Sequence, residues 1–128
     1  MSPFEILAAS GAAAAIVVIV YIAFSQGQIG SAGLAAALSG AFAAFTVVTI
    51  ATEGVLPVWL NHTQNLWGVQ VWCDLLISVG VALFFVVPRA RDQGMNVIPW
   101  IVLVGTTASI GLLAMVARLF WLEQRAEA

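Results

Sequence analysis

The chain has no lysine, one cysteine, one histidine and charged residues at only 8% of its 128 positions. Each scarcity excludes something. Four arginines against six acidic residues give a net charge of −2, which leaves no basic patch for nucleic acid and no polybasic segment for an anionic surface. The lone Cys73 rules out an internal disulfide and any multi-cysteine metal centre, so no metal site is expected. With 62% hydrophobic residues and a mean hydropathy of +1.07, too few polar side chains remain to cover a soluble globule. The chain belongs in a bilayer.

What is present is apolar runs of spanning length separated by short polar connections. The expected fold is all-α: an integral membrane four-helix bundle in a single domain, with spans near 4–24, 34–53, 70–88 and 97–121. Ser2, Pro3 and Glu5 have the form of a helix start, with serine as cap, proline in the first turn and glutamate reaching back. The turn from Ser25 to Gly33 is short enough to make the first two spans an antiparallel hairpin. Gly54 and Pro57 stop the second span after Glu53. Between spans two and three, Pro57, Trp59, Asn61, His62 and Trp67 suit a short interfacial segment, because amphipathic rings favour the membrane–water boundary. Pro88 predicts the end of the third span, and Asn96 caps a fourth that runs unbroken to Trp121.

Asp74 stands inside the third span, where a mid-bilayer aspartate costs about 3 kcal/mol unless a partner or cavity compensates it. It needs a reason. Gln70, Asp74, Ser78 and Ala82 recur every four residues and predict an inward polar face, matched by Thr46 and Thr49 on the second span and Thr107 on the fourth. With four crossings, Glu53, His62, Asp74 and Arg118 fall toward one membrane side, with a belt of Trp59, Trp67, Trp72 and Trp121. Arg118 at a similar depth is the expected ion-pair partner of Asp74. An unpaired Asp74 would instead serve as an acid or proton carrier, with Glu53 and His62 as further candidate catalytic groups. His62 alone carries little, because a metal or haem normally needs further ligands.

The run Trp67-Gly68-Val69-Gln70-Val71-Trp72-Cys73-Asp74-Leu75, followed by Arg89-Ala90-Arg91 and then Pro99-Trp100, resembles an uncharacterised (domain of unknown function) family of short bacterial multi-span membrane proteins, over about residues 40–125. The resemblance implies a bacterial inner-membrane protein and makes Asp74 a family feature without a role. This chain departs from it in an added alanine-rich first span and in Gly111-Leu112-Leu113, where a proline is expected. Arginines are tied two against two between the loop after the third span and the carboxy end. The tie breaks toward a cytoplasmic loop, both because Arg118 is assigned to Asp74 and because the family has a basic loop there, which places both termini outside the cytoplasm.

Three functions fit. The first is an accessory or scaffolding subunit that packs against other membrane subunits or copies of itself, since alanine- and glycine-rich helices such as Gly33/Ala37 and Gly40/Ala44 let backbones approach closely. The second is a membrane-embedded enzyme or a lipid- or quinone-binding protein that uses Asp74, Glu53 and His62 at one end of the bundle. The third is a small proton-coupled carrier, disfavoured by the lack of an internal repeat. The residues require no cofactor; the expected surroundings are membrane lipids.

Overall fold

The computed structural model describes residues 1–27 and 30–128, all of its regular structure helical. It comprises two units, Met1–Gly30 and Ser31–Ala128. The first contains α1, Pro3–Phe24, whose start is the expected box: Ser2 Oγ accepts from the Glu5 amide at 3.1 Å, and the Ser2 amide donates to the Glu5 carboxylate at 2.6 Å. Of the turn expected between the first two spans, Gln28 and Ile29 lie outside the described residues.

The second unit holds α2 (Ala32–Glu53), α3 (Leu56–Thr63), α4 (Leu66–Asp92), α5 (Val97–Thr107) and α6 (Ser109–Glu127). Among the described residues three helices, α1, α2 and α4, are long and apolar enough to cross a membrane. Gly54 ends α2 at φ 83°, with its amide on the Ile50 carbonyl, as the sequence predicts. The tryptophan-bearing connection forms the short α3.

Two expectations are corrected. Pro88 does not end the third long helix, which runs from an Asn65 cap to Asp92. Its last turn is held by a left-handed glycine cap: Gly94 at φ 74° donates to the Arg91 carbonyl at 2.9 Å, and the Met95 amide reaches back to Ala90 at 2.9 Å. The larger correction is that 97–121 is not one helix. It breaks at Ala108, whose φ of 51° and ψ of −112° no helical residue adopts. At 11 residues α5 is about 16 Å long, half of a ~30 Å hydrocarbon core.

The chain then doubles back. A Cβ on Gly111 would meet the Leu103 carbonyl carbon and oxygen at 2.8 Å, so α6 lies directly against the α5 backbone there. Thr107 braces the corner, its Oγ1 donating to the Leu103 carbonyl at 2.7 Å and accepting from the Gly111 amide at 2.8 Å. Together α5 and α6 make a helical hairpin whose far end returns to the end of α4. Between α4 and the two arms lies the core of Ala90, Val97, Val104 and Met115, flanked by Val79, Leu83 and Val86. The outer arm, α6, also packs along α2, where Ala35 and Ser39 are buried and Ser39 Oγ donates to the Ile110 carbonyl at 2.8 Å. Polar backbone at such a break is tolerated in hydrocarbon only when protein satisfies it, which Ser39 and Thr107 do here.

Candidate functional site

The candidate residues fall at two ends of the second unit. At the α3–α4 corner, a Cβ on Gly68 would sit 2.6 Å from the Asn61 carbonyl oxygen, so only glycine lets α4 start this close to α3. The closure brings three rings together. Trp72 meets Trp59 edge-on at 6.2 Å between centroids, and meets His62 at 5.4 Å. His62 Nδ1 lies 2.5 Å from the Val58 carbonyl oxygen, which only accepts, so Nδ1 is the donor in this contact. Glu53 is exposed at the end of α2.

Asp74 is not part of that cluster. The packed side of α4 runs through Trp72, Val79, Leu83, Val86 and Ala90, and at about 100° per residue Asp74 points some 160° away from Ala90. Gln70, Asp74 and Ser78 are all exposed on that outer face, contrary to the inward stripe that their spacing predicts. The four-residue spacing is real; the helix presents its other side to the core. Thr46, Thr49 and Thr107 are half-buried. Below Asp74 the same outer face carries an open apolar groove of about 420 Å³ lined by Ile77, Gly80, Val81, Phe84 and Phe85.

The expected Asp74–Arg118 pair does not form. Glu123 of α6 instead clamps Arg89 at the end of α4 in a two-pronged contact, Nε to Oε1 at 3.0 Å and Nη2 to Oε2 at 2.7 Å. That contact fixes the axial register. Arg118 lies about 7 Å below Glu123, whereas Asp74 lies about 22 Å from Arg89, so roughly 15 Å of bundle separates them. Arg118 and Arg125 both sit over Trp121, each guanidinium carbon 4.6 Å from the ring centroid. Trp121 therefore parts from Trp59, Trp67 and Trp72, and the four do not share one end. The carboxy end likewise lies beside the α4–α5 turn rather than across from it, because α6 returns.

Among the described residues no group of three or more His, Cys, Asp and Glu side chains comes together as a metal site would require. The clamp and the hairpin break involve residues that sequence reasoning missed. One signal was available: Gly105 to Gly111 holds two glycines and three hydroxyl residues, a poor helix interior. The chain matches no protein-family model, no curated protein and no solved structure.

Proposed function

We propose that this multi-pass membrane protein is an accessory subunit of a larger bacterial inner-membrane assembly, crossing the bilayer with its long helices and inserting α5–α6 as a re-entrant hairpin. The observation that carries the reading is the two-sided character of α2. One side, Ala35 and Ser39, is buried against α6. On the opposite side Gly33, Ala37, Gly40 and Ala44 form an exposed strip at a helical spacing suited to a second helix. Lipid gives no hydrophobic drive between helices, so such flat faces associate by close backbone contact. An acid/base enzyme is less well supported, because Asp74 lies on the side of α4 away from His62 and Trp72.

The hairpin also supports an orientation. With α6 returning to Arg89, all four arginines, Arg89, Arg91, Arg118 and Arg125, gather at one end, which the positive-inside tendency assigns to the cytoplasm. The carboxy end is then cytoplasmic. A cytoplasmic reporter fused after Ala128 is expected to be active; silence there reverses the orientation. For the subunit reading, the test is the intact mass of the protein purified in mild detergent. A stoichiometric protein partner that is lost in Gly40→Leu supports it, and a monomer carrying lipid alone overturns it.

A further inference from the structure

The outer face of α4 poses a problem that the rest of the unit does not solve. Trp67 and Arg89 bracket about 33 Å of helix, so they mark its two interfaces, and Asp74 lies about 10 Å inside the first of them. Its side is the unpacked one. A carboxyl at that depth persists where a neighbour compensates it. The chain has little to offer. Its arginines are at the far end: Arg89 is bound to Glu123, while Arg118 and Arg125 rest on Trp121. His62 is tied to Val58 and lies against Trp72 at a tilt, on the other side of α4. The sequence of α1 contains no arginine, lysine or histidine. A second copy in the same orientation would set Asp74 against Asp74 and leave its own arginines at the wrong end.

We propose that this face, Asp74 at its polar end and the Ile77–Phe85 groove below, docks a membrane helix of another protein whose cationic side chain lies at the depth of Asp74. Charge complementarity selects the occupant, and the groove supplies the apolar seat: Gly80 leaves a gap between the Phe84 and Ile77 side chains that line it. The inference rests on the subunit reading and names its surface and the chemistry of its partner. Gln70 and Ser78, one turn to either side of Asp74, add hydrogen-bonding capacity for a guanidinium with five donors.

The test uses the full chain in phosphatidylcholine vesicles, labelled at its carboxy end. The probe is a synthetic leucine–alanine helix of about 24 residues with one arginine about seven residues from its end, labelled for energy transfer. The expected result is association at least about tenfold tighter than for the same peptide with methionine in place of arginine, a preference erased by Asp74→Asn and kept by Asp74→Glu. Equal binding of the two peptides overturns the proposal, as does an arginine preference that survives Asp74→Asn. A disulfide between Cys73 and a cysteine placed on α1 by Ala14→Cys, formed in full yield and not competed by the arginine peptide, also overturns it by seating α1 on the face. Circular dichroism and thermal unfolding check that Asp74→Asn keeps the fold. If the preference is absent while a partner still co-purifies through α2, the docking surface fails and the subunit reading stands.

Discussion

The α5–α6 hairpin and the α3–α4 corner are closed by the same device and end up differently. In each, a glycine admits a neighbouring backbone where a Cβ would stand under 3 Å away: Gly111 against Leu103, Gly68 against Asn61. Behind Gly111 lie Val104, Met115 and Leu119, none more than 1% exposed. Behind Gly68 nothing is buried, and Trp59 and Trp67 stay 60% and 79% exposed. Close approach is therefore a local act whose energetic weight depends on what it brings together. The hairpin is the packed half of the unit; the corner is an aromatic and polar rim.

That contrast sets the largest expected effect. Gly111→Val places two methyl groups on a bare Cβ already at 2.8 Å from backbone that cannot give way, and so parts α6 from α5. The expected loss is about 3 kcal/mol, read as a fall in the midpoint of thermal unfolding in detergent, with loss of the Thr107 brace. An unchanged midpoint would mean that α6 does not lie against α5. The parallel change Gly68→Val is smaller, about 1 kcal/mol, because only the short α3 is displaced. Its signature is optical: separating Trp72 from Trp59 and His62 alters tryptophan emission, while the melting of the hairpin core is nearly unmoved.

The sequence carried the start of α1 and the end of α2 well, because each has a local chemical cause, whereas Pro88 was no stop for α4. Ser2 with Glu5, Gly54 and the short α3 follow from caps and turn residues within a few positions. It missed the break because Ala108 is neither glycine nor proline and sits in a run of apolar length; the cause is tertiary, supplied by Leu103, Thr107 and Ser39. The same error produced the Asp74–Arg118 pair, whose matching depths assumed a continuous last span. The spacing of Gln70, Asp74 and Ser78 marked one face correctly, but periodicity alone does not say which face of a membrane helix meets its own core.

Ala108 itself sharpens the comparison in the other direction. An alanine at φ 51° and ψ −112° is strained, whereas glycine reaches that conformation freely. Ala108→Gly is expected to stabilise the hairpin by about 1 kcal/mol and raise its unfolding midpoint. If the chain were helical through this point, the same substitution would cost about 1 kcal/mol instead, so the sign of the shift distinguishes a hairpin from a span.

The smallest effect is the most specific one. Arg89 and Glu123 are joined only because α6 comes back to the end from which α5 set out; in an unbroken helix from Val97, Glu123 would stand about 39 Å along the axis from the end that carries Arg89, beyond a ~30 Å hydrocarbon core. The contact is two-pronged, but the Arg89 side chain is 52% exposed against 18% for Glu123, so solvent screens much of it. Arg89→Gln and Glu123→Gln are each expected to cost about 1 kcal/mol, and the double variant little more than either alone, a coupling of about 1 kcal/mol that shrinks in high salt. Additive losses would mean that the two side chains do not meet, and would return α6 to the far side of the membrane along with the tie among the arginines. Arg91→Gln, on the same last turn of α4 but outside the clamp, serves as the reference and should show no coupling to Glu123→Gln.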